Sequence, residues 1–166
     1  MNPAEIDFHK ILEILSRHKV DFIVVGGVCA VLHGAPVTTF DIDLVHSRKS
    51  ENLECLLAAL DELHAFYREK KEQKIRPQLS HISTKGHHLL MTKFGPLDLL
   101  GIIGRDHDFE ALAHHTEKVK VGEQEVSMLD LETLISVKEE TAREKDNYML
   151  AILRQTLGEK KKGCKN

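Results

Sequence analysis

Val24-Val-Gly-Gly-Val-Cys-Ala-Val-Leu-His-Gly-Ala-Pro-Val-Thr-Thr-Phe-Asp-Ile-Asp-Leu-Val45 is the stretch from which the fold is read. The residues before Gly26, Asp21 to Val25, are mostly apolar and β-branched, the pattern of a buried strand. Gly26 and Gly27 end that strand, and Val28 to His33 open a helix that Gly34-Ala35-Pro36 breaks. A glycine pair at such a junction lets backbone approach a ligand and leaves helix-start N–H groups for anionic oxygens. Many strand–glycine–helix junctions merely turn the chain. Phe40 to Val45 is a second strand. Asp41 and Asp43 point to one of its faces, and Phe40, Ile42 and Leu44 to the core. Two adjacent carboxylates repel, so a half-buried strand bearing both needs a cation. Mg2+, which takes oxygen ligands and keeps phosphates in its shell, suits them. Taken alone, the pair reads more readily as two solvent-facing acids on an edge strand.

A third acid supplies the missing context. Asp98 is the only acid in Gly95-Pro-Leu-Asp-Leu-Leu-Gly101. If its strand lies beside Asp41 and Asp43, three carboxylates meet, as two-metal phosphoryl transfer requires. Asp98 would then also serve the acceptor hydroxyl as its base.

The other segments set the class. Ile6, Ile11, Ile14 and Leu15 recur at helical spacing, predicting a helix over Ala4 to His18. Leu53, Leu56, Leu57 and Leu60 predict one over Glu51 to Tyr67. Arg68 to Lys74 is a charged loop or helix end. Ile75 to Ile82, His88 to Lys93 and Leu97 to Ile102 read as strands, with Gly95-Pro96 as the turn between the last two. Asp108 to His115 is a short helix, and Lys118 to Val121 with Glu125 to Met128 a hairpin about Gly122. Leu129 to Gly158 is helical with a break near Arg143. The class is α+β, with a mixed, partly antiparallel sheet and C-terminal helices. The hairpins disfavour a purely doubly wound fold. Residues 1–158 form a single domain, and 159–166 a basic, disordered tail.

Composition narrows the partners. Apolar residues are 42% and charged residues 30%, which excludes a wholly disordered chain. A net charge of −3 and the absence of Trp argue against a long nucleic-acid duplex as partner. Protonating all 11 His would turn that charge strongly positive, so surface behaviour depends on pH below about 6.5. The longest apolar run, Phe22 to Leu32, is too short to span a bilayer. The N-terminus lacks a signal pattern, and the three Cys are odd in number and far apart. Together these point to a cytoplasmic protein with reduced thiols and no membrane partner.

The combination Gly26-Gly27, Asp41-Ile-Asp43 and Leu97-Asp98 resembles the nucleotidyltransferase superfamily with the DNA-polymerase-beta-type palm. Its pattern is a helix-opening Gly-Gly or Gly-Ser, then hDhD, then a distant hD. His33-Gly-Ala-Pro-Val-Thr-Thr-Phe-Asp-Ile-Asp-Leu44 is similar to the HGxxRxTxDIDL phrase of small stand-alone members, including the AbiEii-like toxin–antitoxin branch. Val37 stands where that phrase has Arg. Lys138, Arg143, Lys145 and Asp146 match that branch's late Lys–Arg–(Lys)Asp signature.

The resemblance implies Mg2+-dependent transfer of a nucleoside monophosphate from a nucleoside triphosphate, with Mn2+ as a substitute ion and ATP among the donors. Pyrophosphate leaves, and the acceptor is a hydroxyl or phosphate of a small molecule, a protein or tRNA. Asp41, Asp43 and Asp98 would be catalytic and metal-binding. Gly26, Gly27, Thr39, Lys138 and Lys145 would meet the nucleotide. Helical spacing also puts Lys138, Ala142 and Lys145 on the inner face begun by Leu131, Leu134 and Ile135, where a lysine needs an anion unless it snorkels. A second reading is an inactive binding module of a toxin–antitoxin pair, in which the acids are dispensable. His33 lies at the mouth of the proposed site, and Ser47 is close enough to touch phosphate. His87-His88 and His114-His115 are surface histidines, because neighbouring side chains diverge.

Overall fold

Strand β1 (Phe22–Val25) is buried at all four positions, as expected of a β-branched run covered on both faces. It passes straight into α2 (Gly26–Leu32), which thus begins two residues earlier than predicted. The computed structural model describes residues 6–164. The predicted helix start at Ala4 lies outside these. Ile6 and Asp7 precede α1 (Phe8–Arg17), where the Asp7 side chain caps the helix by accepting from Lys10 N.

Strand β2 (Ile42–His46) runs antiparallel to β1, pairing Val25 with Asp43. The two strands are the centre of a seven-stranded mixed sheet. On one side lie β5 (Gly95–Leu100), β4 (His87–Thr92) and the two-residue β3 (Phe66–Tyr67). On the other lie β7 (Gln124–Leu129) and β6 (Thr116–Val121), the predicted hairpin. β1 with β7 and β2 with β5 are parallel pairs, and the other pairs are antiparallel. Ile11, Leu15, Leu56 and Leu60, from α1 and α3 (Ser50–Glu62), share one core with Ile23, Leu44 and Leu99 of the sheet.

Several boundaries depart from the sequence pattern. Helix α3 stops at Glu62 because His64 adopts a left-handed φ of 53°, which turns the chain into β3. Ile75 to Ile82 is no strand. Pro77 has no N–H to give a ladder, and Gln78 and His81 form a capping box that opens the single turn α4 (Leu79–Ile82). The β4–β5 turn is Lys93-Phe94, and Gly95 and Pro96 are inside β5. Pro96 is tolerated there because β2 begins its pairing with β5 only at Leu97. Phe40 is 71% exposed rather than in the core, because β2 starts after Asp41.

The predicted C-terminal helix divides into α6 (Leu131–Thr141) and α7 (Asn147–Gly163), after α5 (Phe109–Leu112). Ala142 and Arg143 take extended angles and Glu144–Asp146 form a 3-10 turn. Lys145 is exposed on that turn, out of helical register with Lys138, so the predicted shared face does not exist. Glu159 to Gly163, expected to be disordered, is the last part of α7, while 165–166 lie outside the described residues.

His88 is not a surface histidine: it is 7% exposed, with Nδ1 3.0 Å from the Tyr67 hydroxyl. Burial, reinforced by His46, His81 and His87, lowers its pKa to about 4. Between pH 6.5 and 4 the unfolded chain gains a proton that the folded chain refuses, so stability is lost as pH falls through that window. Relative to His88→Gln, in which this contribution is gone, the wild-type urea midpoint should therefore fall between pH 7 and pH 5. An equal drop in the variant would exclude His88 as the cause.

Candidate active site

Parallel pairing of β2 and β5 sets Asp43 beside Asp98. Asp41, one residue before β2, completes the group: each carboxylate offers an oxygen, all within 4.8 Å of one another. Asp41 and Asp43 are half-buried and Asp98 is 8% exposed. The i, i+2 spacing thus delivers both acids to one place, although the strand itself begins between them.

The cluster is electrostatically costly. Burial first, then repulsion from Asp41 and Asp98, raises the Asp43 pKa to about 7, against the opposing pull of Arg68. Burial also raises Asp98. Three hard oxygen donors that resist joint ionisation fit a divalent cation such as Mg2+.

Glycine makes room at the adjoining helix start. Gly26 has a φ of 67°, and a Cβ there would overlap Asp43 Oδ2. A Cβ on Gly27 would lie 2.8 Å from Thr39 Oγ1. The Thr39 hydroxyl donates to the Asp41 carbonyl at 2.9 Å, so its proton holds the loop that presents Asp41. A cavity of about 260 Å3 opens from Gly26, Gly27 and Asp43. Its apolar wall includes Leu100 of β5, Leu134 and Val137 of α6, and Met149 and Leu153 of α7. Lys138 also lines it, with Nζ 3.6 Å from Asp146 Oδ1. Of the sequence-predicted residues, Gly26, Gly27, Asp43 and Lys138 line the cavity, Asp41 and Asp98 join Asp43 in the acidic cluster, and Thr39 lies against Gly27, whereas Lys145 does not line the cavity.

Two further expectations are corrected. His33 is buried away from the acids: Nε2 is 2.7 Å from the Leu129 carbonyl and Nδ1 2.6 Å from Lys160 Nζ. Ser47 lies beyond the opposite end of β2, buried, 3.4 Å from Glu110 Oε1.

Arg68 is the residue that sequence reasoning missed. It follows β3 directly and donates from Nη2 to Asp98 Oδ1 at 2.6 Å and from Nη1 to the Leu90 carbonyl at 3.3 Å. In the sequence it merely opens a run of Lys and Glu. Its sole local mark is being the one arginine from 68 to 74.

Known structures share this arrangement of elements. A candidate nucleotidyltransferase from Thermotoga maritima, TM1012, matches with a TM-score of 0.58 at 21% identity, over 92% of this chain and 91% of that one. ANT(2")-Ia, solved in complex with adenylyl-2"-tobramycin, matches with a TM-score of 0.58 at 16% identity, over 93% and 89%. LnuA, a lincosamide antibiotic adenylyltransferase solved with lincomycin, matches with a TM-score of 0.62 at 12% identity, over 93% and 99%. No family model and no curated protein matches the sequence. The chain has the nucleotidyltransferase fold. No helix among the described residues is long and apolar enough to cross a membrane.

Proposed function

We propose that the protein is a metal-dependent nucleotidyltransferase that moves a nucleoside monophosphate from a nucleoside triphosphate to an acceptor hydroxyl. The observation that carries this reading is the convergence of Asp41, Asp43 and Asp98 beside the glycine-opened start of α2. Asp41, Asp43 and Asp98 would hold Mg2+, which when bound neutralises phosphate charge and polarises the reacting phosphorus. Gly26 and Gly27 let the triphosphate approach the backbone, and Lys138 supplies positive charge on the cavity wall. Asp98 accepts the acceptor's proton as its oxygen bonds to the α-phosphorus. The bond from that phosphorus to the bridging oxygen breaks, and pyrophosphate leaves. The adenylyltransferases among the structural neighbours favour ATP as donor and a small-molecule hydroxyl as acceptor.

Calorimetric titration of the four common nucleoside triphosphates, with and without Mg2+, tests this directly. Binding that needs Mg2+ and disappears in Asp41→Asn/Asp43→Asn is expected. No binding to any triphosphate by the folded protein would overturn the proposal. The second reading, a toxin–antitoxin binding module, draws on Val37: the side chain where related phrases carry Arg packs against the core. Under that reading the double variant keeps full hold of its partner.

A further inference from the structure

We propose that Arg68 is a positioning residue that acts as a resident cation on Asp98, holding one carboxylate oxygen so that the other is presented to the acceptor hydroxyl. The inference rests on the nucleotidyltransferase reading and adds a residue to it.

Arg68 grips two strands at once. Nη2 binds Asp98 Oδ1 in β5 at 2.6 Å, while Nη1 binds the Leu90 carbonyl in β4 at 3.3 Å. These strands are hydrogen-bonded neighbours, with Leu89 opposite Asp98. A planar guanidinium anchored at both ends has little freedom to swing, which an ammonium would keep. Among the described residues this is the only ion pair made by the three acids. Lys138, the other cation near them, is paired with Asp146 instead.

The pairing makes the cluster asymmetric. Asp41 and Asp43 have no cationic partner of their own among the described residues, so they depend on an added ion. Asp98 already has one, and it occupies Oδ1. Asp98 also meets the Asp43 side chain, so its other oxygen is the one that would serve both the shared metal and the acceptor proton, in a direction that Arg68 sets. A base must lie within hydrogen-bond reach of the proton it takes, so fixing this oxygen is a contribution to rate rather than to nucleotide affinity. The proton moves from the acceptor hydroxyl to that oxygen, and Arg68 keeps its bond to Oδ1 throughout.

A resident cation also competes with metal, which yields opposite signs in one variant. Arg68→Gln removes a positive charge from the cluster, so Mn2+, titrated calorimetrically into the nucleotide-free protein, should bind about tenfold more tightly. The same variant should release pyrophosphate from Mg-ATP, with water as acceptor, about 100-fold more slowly, at an ATP affinity within about threefold of wild type. Arg68→Lys restores the charge without the fork. It should return Mn2+ affinity to the wild-type value and recover part of the rate.

A merely structural role would weaken metal binding and turnover together with the melting temperature. That pattern, or wild-type Mn2+ affinity in Arg68→Gln, overturns the proposal. A parallel loss of ATP affinity would make Arg68 a phosphate contact and overturns it as well. Wild-type protein that binds neither Mn2+ nor any triphosphate would instead overturn the underlying nucleotidyltransferase reading. Should water fail as acceptor in the wild type, the Mn2+ arm decides alone.

Discussion

Asp43→Asn should make the metal-free protein more stable at pH 8 while abolishing its metal-dependent triphosphate binding. In the folded chain Asp43 has its pKa raised from 3.8 to about 7, by burial and by its two acidic neighbours. Between these values the folded state keeps a proton that the unfolded state has lost. Stability therefore falls as pH rises through this window, and the full penalty is present above it. Its size is on the order of 4 kcal/mol, shared with Asp41 and Asp98, to which Asp43 is coupled. The neutral amide removes the charge and hence the penalty. Urea unfolding at pH 5 and pH 8 without divalent ions should show the variant gaining on wild type as pH rises. Comparing the two proteins cancels the opposite trend from His88. Adding Mg2+ at pH 8 should stabilise wild type and leave the variant unchanged. Triphosphate affinity should fall at least about 100-fold, since even outer-shell changes at metal sites cost 10–100-fold. A variant no more stable than wild type at pH 8 would mean that the acids do not strain the folded state.

Gly26→Ala should damage both stability and the site. The backbone there sits at a φ of 67°, where a side chain costs about 1–2 kcal/mol. The new methyl would also overlap Asp43 Oδ2 and crowd its Cγ and Cβ, so that side chain has to shift from its place in the acidic cluster. A total loss of about 2–4 kcal/mol is expected, with triphosphate binding falling below detection. Gly34→Ala separates the two effects. Gly34 also has a left-handed φ, of 93°, but nothing lies within 4 Å of its added Cβ. It should lose stability from strain alone and keep its binding. If the two variants behave alike, the close approach of α2 to Asp43 has no functional weight.

Much of this site was legible one residue at a time. Strand β1, the glycine junction and the acids at 41 and 43 lie within one short stretch, where periodicity and residue type are local properties. Lys138 was found on the inner face of α6 for the same reason. Asp98 was identifiable because an acid is conspicuous in an apolar strand. Where reading failed, the deciding contact came from elsewhere in the chain. His88 looked like half of a surface pair until Tyr67 and Thr84 closed around it. His33 looked like a residue of the site until Leu129 and Lys160, from the opposite end of the chain, claimed both its ring nitrogens. Lys145 followed a helical count that the extended angles at Ala142 and Arg143 interrupt.

By itself the sequence determined an α+β chain with a glycine-opened helix and three acids suited to a divalent ion, because each of these is written in short-range pattern. Tertiary structure alone decided that β2 and β5 pair in parallel with Asp43 beside Asp98, and that Arg68 reaches Asp98 from the residue after β3. Strand order and register are set by which apolar faces bury best together, a property of the whole core that no single segment carries.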